Sequence, residues 1–431
     1  GDWGKTWYYG CMILKHASFL GADHQLHQQD IRVSASLINQ ISDSIEEEHK
    51  ESVFDCSGYI ILPTFADCHV HTPDTLLRGL FCDMEMASWC NDTVQGKLQQ
   101  KIYDYLDNNV ASEDFKTLVL YAYMQYIKNG VGFIVETGQA DNSSAILQEC
   151  AQQIGLKALV DYYEDYPPKI PPSSTIAQGI HLHEEEELNK ELLEEAKQLF
   201  AIDNPFLMTH CLETTWRRAE VEKKFGMSTI ELLSKAHLLS EKSVLFHCIE
   251  TSEQDINLLG EHHANVVHCP LSNSRAGEGS MNLCSMLKQN INITLGTDYL
   301  CHDIWDVMRA TYGELKQGMR PELYGSSTVL DMASRNAAVF SSGTGYQGTI
   351  EEGSGADLLF LKAGLELSPL VNLPGFSNVD HNLLMYGRPH MIEHVMINGK
   401  WIMQDRKFMT IDEQKILASY AEVVRNLFVE D

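Results

Sequence analysis

Eight short apolar runs that alternate with longer polar connections constrain the fold of this chain more than any other feature of its sequence. The runs are IILPTFADCH, GVGFIVET, LKALVDYY, AQGIHLH, PFLMTHC, SVLFHC, ANVVHC and INITLGTD. Several connections, such as SEDFKTLVLYAYMQYIKN, EELNKELLEEAKQLF and MSTIELLSKAHLL, repeat apolar residues near every 3.6 positions, which predicts helices. Eight strands in alternation with helices predict an α/β fold, a parallel (β/α)8 TIM barrel. An open doubly wound sheet is disfavoured, because no glycine-rich phosphate loop follows the first strand.

The two ends of the chain have a different pattern, made of short strands and turns. The N-terminal segment contains MILKHASFLG, DIRVSASLINQIS and SVFDCSGYIILP, and the C-terminal segment contains GTIEEGSGADLLFLKAG and HVMINGKWIMQDRKFMT. The Asn-Gly pair in the last of these predicts a tight hairpin. We therefore expect β structure at both ends, outside the barrel.

The charge and cysteine content narrow the class of partner. There are 32 Lys and Arg residues against 60 Asp and Glu, a formal net charge of −28, so the surface repels nucleic acid phosphates and anionic lipids. We expect neither nucleic acid nor membrane partners. Eleven cysteines without a CxxC pair favour reduced thiols, and no signal segment or long apolar stretch is visible, so a cytoplasmic location is expected.

Polar side chains stand at the ends of several predicted strands, where barrel enzymes build their sites. They are His69 and His71, one residue apart, and then His210, His247, His268 and Asp298. A single histidine after an apolar run is usually a packing residue. Several on separate strands that face one barrel mouth indicate a metal site, and three imidazoles with one carboxylate suit zinc or ferrous iron.

Three acidic features need separate interpretations. Glu213 follows His210 by three residues, close enough to a metal site to act as a general acid and base, although a surface helix start is the alternative. The run Glu184 to Glu187 precedes a predicted helix and is interpreted as a solvated helix start, where the helix dipole stabilises negative charge. Glu136 is interpreted as a structural residue.

Five segments, in order along nearly the whole chain, carry a family resemblance. They are YIILPTFADCHVHTPDTLLRGL, HCLETTWRRAEVEKKFG, LFHCIETSEQDINLLGEHHANVVHCPLSN, INITLGTD and GTIEEGSGADLLFL. As a set they resemble the amidohydrolase superfamily, in particular its branch of cytosine, guanine and S-adenosylhomocysteine deaminases and triazine hydrolases. The resemblance implies a barrel over residues 63–345 and a small β-sandwich domain composed of residues 1–62 and 346–431.

The resemblance also implies a role for each strand-end residue. His69, His71, His210 and Asp298 would bind one divalent metal, most simply zinc, with ferrous iron as the alternative. Glu213 would be the proton shuttle and His247 would orient or polarise the attacking water, while Asp298 would share the role of general base. A second, bridged metal is not expected, because no lysine that could be carbamylated ends a strand.

The implied activity is hydrolytic deamination of an amino-substituted purine, pyrimidine, pterin or related nucleoside. Glu213 favours deamination, because the departure of ammonia needs a proton donor and that of chloride does not. A hydrolase acting on a C–Cl, alkylamine or cyclic amide bond is the first alternative. A non-catalytic assembly protein on the same fold is the second, and the loss of metal ligands that would mark it is not seen.

Substrate contacts are expected from the loop after the first strand and from the fourth strand. The loop matches the family at Arg78 and Trp89, and Trp89 would stack on the substrate ring. His181 and His183 lie where members place a substrate-contacting histidine, with a buried strand pair as the alternative. Ser272 and Asn273 are expected to cap the next helix. Residues 97–100 hold no acidic counterpart for a ribose contact, and a homodimer is expected.

Overall fold

The computed structural model describes residues 10–89, 91–162, 168–299, 302–317 and 320–428. The strands are β1 (Met12–Leu20), β2 (Leu26–Ser34), β3 (Leu37–Ser42), β4 (Ser52–Asp55), β5 (Tyr59–Pro63), β6 (Phe65–Val70), β7 (Val131–Glu136), β8 (Lys157–Asp161), β9 (Ile176–His181), β10 (Phe206–Cys211), β11 (Ser243–His247), β12 (Asn265–His268), β13 (Asn292–Leu295), β14 (Leu358–Lys362), β15 (Asn372–Leu373), β16 (Phe376–Ser377), β17 (Ile392–Ile397), β18 (Lys400–Gln404) and β19 (Lys407–Phe408). The α-helices are α1 (Val94–Asn108), α2 (Glu113–Lys128), α3 (Ser144–Ile154), α4 (Lys190–Asp203), α5 (Thr215–Phe225), α6 (Thr229–Lys235), α7 (Glu253–Glu261), α8 (Pro270–Ala276), α9 (Leu283–Lys288), α10 (Ile304–Gln317), α11 (Ser326–Met332), α12 (Val379–Tyr386) and α13 (Glu413–Phe428).

Strands β6 to β13 form one eight-stranded parallel sheet in chain order. A parallel bridge between Val70, at the end of β6, and Asp298, just after β13, brings the two edges together, so the sheet is a nearly closed barrel. The predicted (β/α)8 architecture is confirmed. All eight strands therefore end at the same mouth of the barrel.

The barrel interior follows the two-residue period of the strands. In β7, for example, Phe133 and Val135 pack inside the barrel, whereas Ile134 between them packs with the surrounding helices. Phe340 and Tyr346 belong to the same interior cluster, and the Tyr346 hydroxyl donates to the carbonyl of Thr64, just before β6. The apolar filling occupies the N-terminal part of the barrel and leaves the C-terminal mouth to polar side chains.

Helix α2, which the sequence predicts, shows how local residues determine where a helix begins and ends. The Ser112 side chain accepts a hydrogen bond from the Phe115 N–H, and Glu113 and Asp114 occupy the first turn, where they complement the helix dipole. The helix ends with Lys128, and Gly130 then turns the chain into β7 with a φ of 94°. Nine of its residues are buried, so the helix covers the outside of the barrel as the 3.6-residue pattern predicts.

The two ends of the chain combine as predicted. Strands from both ends form one nine-stranded mixed sheet, in which β5 lies between β1 and β14. The predicted Asn-Gly hairpin is the turn between β17 and β18, with positive φ at Asn398 and Gly399. Lys157 of β8 joins this sheet to the barrel through a buried ion pair with Asp357, 2.8 Å long. The boundaries at 62/63 and 345/346 and the homodimer stay predictions.

Between β8 and β9 the described part of the connection, residue 162 and residues 168–175, contains no helix. Within the described ranges, no helix is both long enough and apolar enough to cross a membrane.

Candidate metal centre

The four predicted metal ligands converge at the C-terminal mouth of the barrel. The Nε2 atom of His71 lies 3.2 Å from Nε2 of His69 and 3.4 Å from Nε2 of His210. Oδ1 of Asp298 lies 3.0 Å from Nε2 of His69 and 3.2 Å from Nε2 of His71. Four donor atoms from three strand ends thus face one another in a space that one ion would fill.

His247 lies beside this cluster. The ligand atoms of His69, His210, His247 and Asp298 all lie within 4.8 Å of one another. By distance alone, His247 is therefore a possible metal ligand, as His71 is. Its Nε2 atom is 3.9 Å from Oδ2 of Asp298 and 3.6 Å from Oε1 of Glu213. The position is equally suited to a residue that acts on water bound at the cluster.

Hydrogen bonds on the far side of the rings orient their lone pairs towards the cluster. Nδ1 of His71 lies 3.0 Å from the carbonyl of Gly138, and Nδ1 of His247 lies 2.8 Å from Oδ1 of Asn273. Because both acceptors require an N–H at Nδ1, each ring presents an unprotonated Nε2 in its neutral form, which is the form that binds a metal. The buried Nε2 of His247 has no hydrogen-bond partner among the described residues. Converging imidazole lone pairs beside a carboxylate are the donor set that fits zinc or ferrous iron.

The backbone around Asp298 is held in place by Asp67, on β6. The Asp67 carboxylate accepts hydrogen bonds from the Thr297 N–H, at 2.9 Å, and from its hydroxyl, at 2.6 Å. Asp298 itself adopts a left-handed φ of 57°, and its N–H donates to the carbonyl of His69 at 2.7 Å. An uncommon backbone conformation fixed from two sides aims the Asp298 side chain at the histidines.

The pKa shifts of the cluster reflect its burial and its internal charges. Burial lowers the pKa of His69 well below its ordinary value. Burial alone would raise the pKa of Asp298, but the charge and hydrogen bond of His69 hold it well below its usual range. For His71 burial opposes the charged form, and the hydrogen bond and charge of Asp298 outweigh it and raise the pKa to about 9. The carboxylate is therefore ionised and ready to ligate a cation.

The acidic run Glu184 to Glu187 forms a short 3-10 turn, Glu185–Glu187, and only Glu187 is exposed, so the prediction of a solvated run was wrong. Oε1 of Glu184 lies 3.2 Å from Nδ1 of His210. Glu185 is fully buried and accepts hydrogen bonds from the Thr229 hydroxyl, at 2.7 Å, and from the Leu212 N–H. Helix α4 begins only at Lys190, and the signal that was missed is Asn189, whose side chain caps it.

Arg217 ties this acidic turn to the predicted proton shuttle. Its Nη1 atom lies 2.9 Å from Oε2 of Glu184 and 3.0 Å from Oε2 of Glu213, and its Nε atom lies 3.3 Å from Oε2 of Glu186. The Arg217 side chain is only 9% exposed. Sequence reasoning missed this residue, which lies in the first turn of α5, whereas Glu213 lies just before the Thr214 side chain that caps the helix.

Ser272 and Asn273 do not cap a helix, so the prediction that they cap the helix after the strand was wrong. Helix α8 begins at Pro270 after Cys269, and no side chain caps it. The Ser272 hydroxyl instead donates to Oδ2 of Asp298, and Asn273 holds His247. Both side chains therefore support the candidate metal centre.

The structural interpretation of Glu136 is confirmed. Its carboxylate accepts hydrogen bonds from the N–H groups of Thr72, at 3.0 Å, and Gly138, at 2.9 Å, and from the Tyr123 hydroxyl, at 3.0 Å. Burial raises its pKa to about 7. Glu136 thus fixes the loops next to His71.

His268, which also stands at a strand end, pairs with Glu314 at 2.7 Å and not with the metal cluster.

Two adjoining cavities open beside the cluster, and they receive two of the four predicted substrate contacts. Trp89 lines a cavity of about 160 Å³ together with Met86, Tyr103, Glu213 and Tyr299. Its ring lies roughly parallel to that of Tyr299, with the ring centroids 6.1 Å apart. His181 lines a neighbouring cavity of about 240 Å³. The residues that line both cavities are His71, Gln139, Glu184 and His210.

The other two predicted contacts lie elsewhere. Nη2 of Arg78 donates to Nδ1 of His302 at 2.7 Å, and His302 is bound in turn to Asp74. His183 is partly exposed, with its Nδ1 atom 3.7 Å from the Glu187 carboxylate. Neither Arg78 nor His183 is among the described residues that line the two cavities.

Comparison with known proteins gives relatives over nearly the whole chain. A 5-methylthioadenosine/S-adenosylhomocysteine deaminase of Caldicellulosiruptor saccharolyticus is 24% identical over 433 residues, covering 96% of this chain and 98% of the relative. An adenosine deaminase of Xanthomonas campestris with bound zinc has the same fold, with a TM-score of 0.83 at 19% identity over 96% of this chain and 98% of that one. An atrazine chlorohydrolase of Arthrobacter aurescens complexed with zinc has a TM-score of 0.82 at 16% identity over 96% of this chain and 100% of that one. The sequence model of the amidohydrolase family matches residues 60–402.

Proposed function

Because the chain belongs to the amidohydrolase family, we propose that it is a metal-dependent aminohydrolase that releases the amino group of an adenine-type nucleoside as ammonia. The observation that carries the proposal is the convergence of His69, His71, His210 and Asp298 next to Glu213 at the barrel mouth. The adenine base is suggested by relatives that are named as deaminases of adenosine derivatives. The geometry of the site supplies the groups that this reaction needs.

The metal would be held by His69, His71, His210 and Asp298, and zinc is proposed because zinc is present in solved structures of the same fold. When bound, a divalent cation there makes water available for attack at neutral pH. Asn273 and Gly138 keep the imidazole protons of His247 and His71 on the side away from the cluster. The far-side hydrogen bonds that orient His71 and His247 are therefore already made in the protein.

Glu213 is the proposed proton carrier. Its Oε2 atom is held by Arg217, whereas its Oε1 atom faces Nε2 of His247 at 3.6 Å. The carboxylate would take a proton from the attacking water and give it to the ring nitrogen beside the attacked carbon, and would then help ammonia to leave. His247 would orient the water, and Asp298 would share the role of general base.

Trp89 and His181 are the proposed substrate contacts. Trp89 stands with Tyr299 at the smaller cavity, so a flat heterocycle can stack there. His181 is buried at the end of β9 beside His210, with ring centroids 5.2 Å apart. The adenine ring would thus lie over the metal cluster, and the sugar would extend into the larger cavity.

A hydrolase with another leaving group is the remaining enzymatic alternative, since an atrazine chlorohydrolase has the same fold. Glu213 favours deamination, because an amino group must accept a proton to leave as ammonia, whereas chloride leaves without a proton. Product analysis separates the two, since deamination converts the adenine base to a hypoxanthine base with one ammonia per turnover. Release of a different group from an intact base would reject the proposal.

The proposal is tested by ammonia release from a panel of adenine nucleosides, with Glu213→Gln as the decisive variant. We expect about one zinc per chain in both proteins, and a loss of about 10²- to 10⁴-fold in kcat/KM in the variant. Glu220→Gln, on the exposed side of α5, the helix that follows Glu213, is the matched control and should be fully active. Retained turnover in Glu213→Gln would reject the role of Glu213 as proton carrier. Wild-type protein that binds no metal after reconstitution would reject the proposed metal centre.

A further inference from the structure

The walls of the two adjoining cavities carry far more negative than positive charge. The carboxylates that line them are those of Asp141, Asp161, Glu184, Glu213 and Asp298. Arg217 is the single basic side chain, lysine or arginine, among the described residues that line these cavities. Asp298 would be neutralised by the metal that it would hold, so the other four carboxylates would set the electrostatic potential around the rest of a substrate.

The guanidinium of Arg217 is already occupied. It lies within 3.3 Å of the carboxylates of Glu184, Glu186 and Glu213. Three negative carboxylates around one positive guanidinium give this cluster of four side chains a net negative charge. If Arg217 turned towards an anionic substrate, it would leave at least one of these largely buried carboxylates without its partner. Removing one partner from a buried charged pair is strongly unfavourable. Arg217 therefore does not serve as a free anion-binding arginine.

The larger cavity adds the carboxylates of Asp141 and Asp161, which do not line the smaller cavity. Asp141 belongs to the turn between β7 and α3, and Asp161 ends β8. The turn also contributes Thr137, Asn142 and Ser143, which are neutral hydrogen-bonding groups. A sugar hydroxyl or a protonated amine is suited to this lining, whereas a phosphate or carboxylate would meet like charge without a free lysine or arginine to neutralise it.

We propose that the site selects adenine nucleosides whose 5′ substituent is neutral or cationic and discriminates against a 5′ substituent that carries a phosphate or a carboxylate. The inference rests on the proposed function for the adenine base and adds the charge class of the rest of the substrate. It also separates the two substrates in the name of the relative described above. The methylthio nucleoside fits this site, and the homocysteine derivative brings a carboxylate that finds no free cation.

Four compounds that share the adenosine core test the inference in the zinc-loaded enzyme. They are 5′-methylthioadenosine, S-adenosylhomocysteine, the decarboxylated analogue of S-adenosylhomocysteine, and adenosine 5′-monophosphate. The second and third differ by the carboxylate alone. We expect kcat/KM for the monophosphate to lie at least about 30-fold below that of the neutral nucleoside, and the decarboxylated analogue to exceed its parent at least about tenfold. Both gaps should narrow when the salt concentration rises from 50 to 500 mM, because screening weakens charge repulsion.

Two variants assign the discrimination to the wall charges. Glu184→Gln removes a carboxylate from Arg217, and Asp141→Asn removes an exposed carboxylate that lines only the larger cavity. Each should raise the ratio of monophosphate to neutral turnover at least about threefold, whatever happens to the absolute rate. Glu187→Gln, on the exposed side of the acidic turn, should leave the ratio unchanged. Unchanged ratios in both folded variants would overturn the inference.

Binding of the products separates this inference from the proposed function. Inosine and inosine 5′-monophosphate bind without turnover, so their affinities are measured by calorimetry even if no compound is deaminated. Failure of all four compounds to release ammonia rejects the proposed function. Tighter binding of inosine in that case still supports the charge selection, and equal binding, preference for the monophosphate or no binding of either overturns it.

Discussion

The hydrogen bond between Asn273 and His247 offers a quantitative test of how the candidate site is organised. Oδ1 of Asn273 accepts from Nδ1 of His247 at 2.8 Å, and the two side chains are 3% and 1% exposed. The amide nitrogen of Asn273 has no hydrogen-bond partner among the described residues, so Asn273→Ala removes this one side-chain bond and leaves Nδ1–H buried and unpaired. Such a loss costs about 1–3 kcal/mol. The imidazole proton would then be free to move to Nε2, the atom that faces Glu213.

If the whole loss appears in the transition state, kcat/KM falls about 5- to 150-fold. The assay is ammonia release under kcat/KM conditions, together with elemental analysis for zinc and a thermal melt. Ser274→Ala, the next residue on the same short helix, is the control, because Ser274 is exposed and bonds only within the turn. A kcat/KM within twofold of the wild type, in a variant that is folded and loaded with metal, would refute the proposed role of Asn273 in holding His247.

Two further predictions concern stability. Lys157→Met leaves Asp357 buried without its partner and should lower the free energy of unfolding, measured by urea titration, by about 3–5 kcal/mol. The double variant Lys157→Met/Asp357→Leu should recover most of this loss. A double variant no more stable than the single one would contradict this explanation. Burial alone would lower the pKa of His24, but its hydrogen bonds to Asp331 and Asp380 raise it to about 9. Because the folded pKa exceeds the unfolded value of about 6.5, this stabilisation is complete below pH 6.5 and is lost as pH rises through 9. His24→Gln should therefore lower the melting temperature at pH 6 and have a much smaller effect at pH 10, and an equal decrease at both values would show that the charge is not the cause.

The strand-end residues could be predicted from sequence because a parallel barrel imposes a simple rule. All its strands end on one side, so a polar residue directly after an apolar run lies at the same mouth as every other such residue. His69, His210 and Asp298 needed no knowledge of distances to be placed together. The family resemblance added their roles, and the structure then supplied the contacts of 3.0 to 3.4 Å among the predicted ligands.

The errors have one physical origin, which is that local signals do not identify long-range partners. A run of glutamates before a helix and a Ser-Asn pair after a strand both match helix-start patterns. The partners that decide their positions are distant in sequence: Glu184 lies 33 residues before Arg217, and Ser272 lies 26 residues before Asp298. The same limit applies to Arg78, whose partner His302 is 224 residues away, and its contact with substrate stays a prediction.

The amino-acid sequence by itself determined the barrel, the β structure at both ends and the identity of the residues at the barrel mouth. These features depend on periods of two and 3.6 residues and on the rule that parallel strands end together, all of which are written locally in the chain. Only the tertiary structure decided that Glu184 and Glu213 share Arg217 and that Asn273 orients His247. Those pairings depend on which loops meet after eight strands have closed into a barrel, and charge and hydrogen bonding select partners only among groups that the closed fold has already brought within reach.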